Sequence, residues 1–298
     1  MASFTSKIIN YIVLPLRGSK RKMSNIKNFS NNFNYKKEPC PPPKKVENKF
    51  DVEKVIFNSD LVYYKILPRN IPPKGTIIYF HGGAYVNNII KPHWFLIEKI
   101  AEKSQFEIIV PLYPLAPHSN CDESILNITP LINSYINDSS KKNIIFMGDS
   151  AGAGLALSLC MILRDKGKKL PKKAVLLSPW LDISMTDPDL IKLSKKDNML
   201  GIEGLKWAGD KWAGTNEKTD PKVSPLYGSL INLPPISIFT GTADILNIDA
   251  RKLYNLAKSN NIDDIEFNEY QNLYHVWMAT PIPEAYKAID QIINFIVR

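Results

Sequence analysis

At 298 residues, with 44% hydrophobic and 22% charged side chains, the chain is long enough for one large domain with a small insertion, and too apolar to be disordered throughout. Its net charge of +9 includes scattered lysine pairs, Lys141-Lys142, Lys168-Lys169, Lys172-Lys173 and Lys195-Lys196, which argues for solvated surface charge and against nucleic acid as a partner. Three cysteines, Cys40, Cys121 and Cys160, have no metal-ligand spacing, so free thiols in a reducing compartment, the cytoplasm, are expected, with no metal site.

The chain opens with a short apolar run, Ile8 to Leu16, followed by basic residues from Arg17 to Lys22. It is too short to span a bilayer. Packing of this run on the core is the preferred reading, with contact at a membrane surface as the alternative. Residues Asn25 to Lys49, rich in Asn, Lys and Pro, read as an extended connection rather than a packed element. Short β-branched and aromatic runs follow at Val52–Asn58, Leu61–Leu67, Thr76–Phe80, Glu107–Leu112, Asn143–Met147, Ala174–Leu177, Ile236–Thr240 and Ile265–Tyr270, and each predicts a strand. From the third onward they alternate with helical patterns at Trp94–Lys103, Cys121–Asn137, Ala151–Lys166, Ala250–Asn260 and Glu284–Val297. That alternation predicts an α/β fold, with a mostly parallel sheet flanked by helices on both faces. The stretch Met185 to Tyr227 breaks the rhythm and reads as a cap inserted over the carboxyl edge of the sheet. The expected layout is therefore an arm (1–50), a core in two parts (51–184 and 228–298) and a cap (185–227).

Gly148-Asp149-Ser150-Ala151-Gly152 falls directly between a predicted strand and an apolar helix. A serine on such a sharp turn needs small neighbours, and the turn lifts its hydroxyl clear of the sheet. Serine is a weak nucleophile at neutral pH, so it requires a base within hydrogen-bond reach and an acid to orient that base. Only His275, in the loop after the last predicted strand, lies beyond Ser150 among the four histidines. The acid should leave the preceding strand, where Asp244 follows Gly241-Thr242-Ala243. Asp249 and the Asp263-Asp264 pair compete, although Asp249 is more simply a favourable charge at a helix N-terminus. Acyl transfer also needs donors for a developing oxyanion. His81-Gly82-Gly83-Ala84 follows the third strand, so the N–H groups of Gly82 and Gly83, with that of Ala151, are the candidate hole, and His81 is expected to brace the loop.

Together with Tyr113-Pro114-Leu115-Ala116-Pro117, Ser178-Pro179-Trp180 and the segment Gly241 to Asp249, these blocks resemble the hormone-sensitive-lipase-like branch of the α/β-hydrolases. The resemblance implies an eight-stranded sheet, a cap built from the N-terminal segment and the insertion, and hydrolysis of short to medium acyl esters without a cofactor. Two positions depart from the family pattern: Ala84 stands for the third oxyanion-loop glycine and Ala153 for the glycine often found after the elbow. Trp207, Trp212 and Tyr85 are expected near the floor of an apolar acyl pocket. An amide-hydrolysing enzyme or a non-catalytic ligand-binding protein of the same fold are the alternative readings. A small-molecule ester is the expected partner, and a homodimer is left open.

Overall fold

The computed structural model describes residues 2–25, 38–58 and 61–298. Eight strands, β1 (Phe50–Phe57), β2 (Leu61–Pro68), β3 (Thr76–Phe80), β4 (Glu107–Pro111), β5 (Ile144–Asp149), β6 (Lys173–Leu177), β7 (Ile236–Gly241) and β8 (Ile265–Tyr270), form one sheet in the order β1-β2-β4-β3-β5-β6-β7-β8. β2 is antiparallel to both its neighbours, and the remaining pairs are parallel. The expected α/β architecture is therefore observed.

Alternation along the strands divides the core in two. Ile78, Phe80, Phe146, Leu176 and Ile238 point to one face, under the helices Cys121–Ile136, Ala151–Asp165 and Asn247–Ser259. Ile77, Tyr79, Ile145, Met147, Val175 and Phe239 point to the other, against Lys91–Ser104 and Pro283–Val297. A period of two is the consequence of a pleated backbone covered on both sides. Helix Ala151–Asp165 is buried along nearly its whole length. It lies between the sheet and an outer layer, as the bond from Ser158 Oγ to the Pro221 carbonyl (3.1 Å) shows, and so is apolar all round rather than striped.

Register positions the site. Phe80 pairs with Gly148, Asp149 with Leu177, and Gly241 with Tyr270, so the strand ends that carry the oxyanion loop, the elbow and the acid loop lie along one edge of the sheet. Ligands of open α/β sheets bind at this carboxyl edge.

The interval 185–227 holds two helices, Leu190–Ser194 and Ile202–Ala213, and a 3-10 turn at Pro225–Tyr227. One expectation is corrected. Part of the 25–49 connection lies outside the described residues, but its end is packed rather than merely extended. Lys44–Lys49 is a short helix whose Val46 is buried, and the Cys40 carbonyl accepts from Trp94 Nε1 at 2.8 Å. The prolines before the helix hold the chain extended, and Pro43 then starts it from a φ of −64° that suits helix entry.

Candidate active site

Ser150 occupies the turn between β5 and the helix Ala151–Asp165, with φ 54° and ψ −122°, a conformation that costs a non-glycine residue roughly 1–3 kcal/mol. The surroundings over-determine it. The Ser150 N–H donates to the Leu177 carbonyl at 2.8 Å, and its own carbonyl accepts from Trp180 N at 3.0 Å. A Cβ on Gly152 would lie 2.0 Å from the Phe80 carbonyl oxygen, and one on Gly148 would lie 2.3 Å from that of Gly152, so both flanking glycines are required by close approach of backbone.

His275 Nε2 lies 2.9 Å from Ser150 Oγ, and His275 Nδ1 lies 2.8 Å from Asp244 Oδ2. All three side chains are buried. Asp244 Oδ1 accepts from the Leu246 N–H at 2.9 Å, which fixes the carboxylate plane and leaves Oδ2 for the ring. Burial alone would depress the His275 pKa. The Asp244 charge and hydrogen bond outweigh it, helped by Asp197 and Asp149, so the value stands above that of a free histidine. The competing acids lie elsewhere. Asp249 sits in the first turn of helix Asn247–Ser259, its pKa pushed up to about 7 by burial and by Asp182, and Asp263 pairs with Lys258 at 3.0 Å on the surface.

The oxyanion loop requires a correction. Gly82 was expected to supply a donor, but its N–H is committed to Asp149 Oδ1 at 2.9 Å. Gly83 and Ala84 follow it along the loop. Among the described residues no partner engages the N–H groups of Gly83, Ala84 or Ala151. Gly83 (φ 127°) turns the loop, because a Cβ there would meet the Asn87 carbonyl oxygen at 2.3 Å, and Ala84 adopts φ 55° in the left-handed region. Alanine at position 84 therefore keeps its N–H but holds a left-handed backbone that costs a non-glycine residue strain. His81 braces the loop: its Nδ1–H donates to the Gly82 carbonyl at 2.7 Å, its ring stacks on Tyr113 at 4.6 Å, and Tyr113 OH donates to the His81 carbonyl at 2.6 Å. Burial pushes the His81 pKa down to about 4, so this ring stays uncharged at neutral pH.

In the sequence Asp149 is only part of the elbow motif, yet in the structure it anchors the loop. Its carboxylate accepts from Tyr79 OH (2.5 Å) and Gly82 N–H (2.9 Å), and faces His93 Nε2 at 3.3 Å. Burial pushes its pKa up, but His93, Tyr79 and Gly82 more than reverse this, and it lies below the usual carboxylate range. Asp197 was likewise not anticipated. It leaves the 185–227 interval, is fully buried, accepts from Met199 N and Leu200 N, and through Oδ2 accepts from the N–H of Ile245, next to Asp244. Burial and the neighbouring Asp244 charge push it up to about 6. A carboxylate that tethers a remote segment leaves no local pattern, which is why neither role was legible.

Tyr85 and Trp212 stack face to face at 4.0 Å, and Tyr85 also stacks on Trp180 at 5.6 Å. Trp207 is half-buried at the margin of the same cluster. A cavity of about 540 Å³ opens beside the oxyanion loop, lined by Gly83, Ile89, His93, Tyr113 and Leu115 among others, but neither Ser150 nor His275 lines it. Among the described residues no group of His, Cys, Asp and Glu side chains is arranged to hold a metal ion, and no helix is long and apolar enough to cross a membrane.

Residues 77–279 match the family model of the alpha/beta hydrolase fold. The chain belongs to this family, in its hormone-sensitive-lipase-like branch of esterases. It is 33% identical over 74% of its length to an esterase of Acinetobacter venetianus, covering 73% of that protein, and 27% identical over 72% of its length to an acetyl-hydrolase of Streptomyces hygroscopicus, covering 73% of it. Among solved structures, one from Staphylococcus aureus superposes with a TM-score of 0.88 at 26% identity, with 98% of each chain covered. An esterase of the bacterial hormone-sensitive lipase family, at 23% identity and TM-score 0.82 over 99% of this chain and 98% of its own, shares the fold.

Proposed function

We propose that this carboxylic ester hydrolase is a serine carboxylesterase that cleaves short to medium acyl esters through an acyl-enzyme on Ser150. The observation that carries the reading is the unbroken line from Asp244 Oδ2 through His275 to Ser150 Oγ, with links of 2.8 and 2.9 Å. His275, its basicity raised by Asp244, takes the Ser150 proton as Oγ attacks the ester carbonyl. The tetrahedral oxyanion is received by the N–H groups of Gly83, Ala84 and Ala151, each worth about 3–4 kcal/mol in such a site. The start of helix Ala151–Asp165 adds a favourable partial charge. His275 then returns the proton to the leaving alkoxide, and water activated by the same ring releases the acid. Asp244 holds the tautomer and offsets the imidazolium charge throughout.

The Tyr85–Trp212 stack supports the restriction to short and medium chains, since two fully buried rings in contact close the space between them to a long acyl chain. Hydrolysis of p-nitrophenyl esters from acetate to palmitate, compared with Ser150→Ala, tests the assignment. A rate that falls at least about 10⁴-fold in the variant, as when such a nucleophile is removed, with a short-chain optimum in the parent, is expected. Undiminished turnover by folded Ser150→Ala removes the assignment, and a Ser150-dependent activity on amides alone transfers it to amide hydrolysis.

A further inference from the structure

The N-terminal arm is inside-out for a surface helix of a water-soluble protein. Residues Phe4 to Arg17 run as one helical stretch, with a π-helical section at Ile9–Val13, and a second short helix, Ser19–Met23, follows the left-handed Gly18. Ordinarily the apolar stripe of such a helix faces the core. Here the face against the protein is only partly apolar: Ala2, Ser6, Asn10 and Leu14 are buried at four-residue spacing, and Ile9 is half-buried against the core. Ser3 and Ser6 donate from side-chain hydroxyls to Glu284 of the last helix, at 3.0 and 2.6 Å, and Asn198 Nδ2 donates to the Asn10 carbonyl at 3.0 Å. The opposite face carries large apolar side chains into solvent: Phe4 is 79% exposed, Tyr11 55%, Ile12 54% and Leu16 82%. Exposing a concentrated apolar face costs free energy unless something covers it.

Charge identifies what covers it. Residues 1–37 contain eight lysines and arginines and no aspartate or glutamate, so residues 38–298, with 30 basic and 29 acidic side chains, are close to neutral. Nearly all the net charge of +9 belongs to this one segment. Lys7, Arg17, Arg21 and Lys22 are exposed on the same arm, whereas Lys20 turns inward to the carbonyls of Ser194 and Asp197. A two-fold contact with a second copy would bring this acid-free basic rim against itself.

We propose that the outward face of the arm docks on an anionic lipid surface, with Phe4, Tyr11, Ile12 and Leu16 in the interfacial layer and the basic rim against the headgroups. An apolar face of modest size bordered by Lys and Arg is the pattern of helices that lie in the plane of a membrane interface. One face of the segment packs on the core, and the other is free for lipid. The arm is also tied to the cap. Lys20 bonds two cap carbonyls, and Met23 packs so tightly over Gly201 and Gly204 that a Cβ on either would lie within 2.7–2.8 Å of Met23. Docking therefore holds the cap, and Asp197 beside Asp244, at the lipid surface.

The test is co-sedimentation of the full chain with phosphatidylcholine vesicles, with and without phosphatidylglycerol, at low and high salt. Binding is expected only with phosphatidylglycerol and is weakened by salt. The triple variant Arg17→Gln, Arg21→Gln, Lys22→Gln should lose about 100-fold in partitioning, since each such residue contributes about fivefold near an anionic surface. Leu16→Ser should lose about tenfold, the value of withdrawing one large aliphatic side chain from an apolar layer. Both variants are expected to keep the parent's melting temperature and its rate on a water-soluble ester, because the changed side chains lie on the exposed face. Absence of binding to phosphatidylglycerol vesicles, or binding indifferent to both variants, overturns the proposal. So does a dimer that Leu16→Ser dissociates in a protein that binds no vesicle, which would give the face to a second copy.

Discussion

Replacing Asp149 by asparagine changes one atom and should disable the oxyanion loop. The three groups around the carboxylate are all donors: Tyr79 OH, the Gly82 N–H, and His93 Nε2–H, whose proton is placed by the bond from Ile90 N to His93 Nδ1 at 2.9 Å. Only a carboxylate accepts from all three. An asparagine must turn its NH2 either toward His93 or toward Gly82 and Tyr79, leaving a donor against a donor inside a dry site. That costs about 2–3 kcal/mol, the penalty of a buried unsatisfied group. Asp149→Ala, which leaves all three unmatched, should cost about 3–5 kcal/mol. For a chain of this size each kcal/mol lowers the melting temperature by roughly 2–4 °C, so the asparagine variant should melt about 6 °C low and the alanine variant about 10–15 °C low. Gly82 precedes the two proposed loop donors, and its release moves them relative to Ser150. Loss of one such donor costs 10²–10³ in kcat, so a fall in kcat of about 10² with a KM change of a fewfold is expected. The assay is steady-state hydrolysis of a short p-nitrophenyl ester below the variant's own melting transition. Parent-like kcat and melting temperature in Asp149→Asn would refute the anchoring argument.

Activity and stability should respond to pH in opposite directions. The base form of His275 is required, so kcat/KM should fall as pH drops through its raised pKa, and Asp197→Asn should move that inflection to lower pH by removing one of the charges that raise it. Stability should rise over the same descent. Asp197 (about 6) and Asp249 (about 7) bind protons more tightly folded than unfolded, and the contribution of His275 is fully present below its unfolded value and lost as pH rises through the folded one. The melting temperature at pH 5 should therefore exceed that at pH 8, by the equivalent of several kcal/mol at most, before Asp149 and other acids of lowered pKa protonate in stronger acid. Trp212→Ala, which removes a ring stacked on Tyr85, should cost about 3–5 kcal/mol and shift the ester-chain optimum to longer acyl groups, and an unchanged chain-length profile would detach the stack from acyl selection. Gly152→Ala places a methyl 2.0 Å from the Phe80 carbonyl and should abolish soluble, active protein, which expression followed by circular dichroism would check.

What could be read from residue order was what local chemistry encodes. Alternating β-branched runs gave strands whose bounds the sheet reproduces within a few residues, because a pleat buried on both faces demands such runs. The elbow was legible since two glycines and a serine between strand and helix have few other uses. Asp244 and His275 followed from where strands end, and the structure brings both to Ser150. Tertiary structure decided the rest. Gly82 and Gly83 are alike as neighbours in a loop. Only the approach of Asp149, 67 residues away, takes the N–H of the first and leaves that of the second for the proposed oxyanion hole. Asp197 acquires its partner across 48 residues, when the 185–227 interval packs on the loop that carries Asp244. The arm's apolar run announced a buried face, but the bonds of Ser3 and Ser6 to Glu284 fix its polar side inward and turn Phe4 and Leu16 out. Which of two similar groups is satisfied, and which face of a helix is covered, depends on contacts between distant segments, and those exist only once the chain has folded.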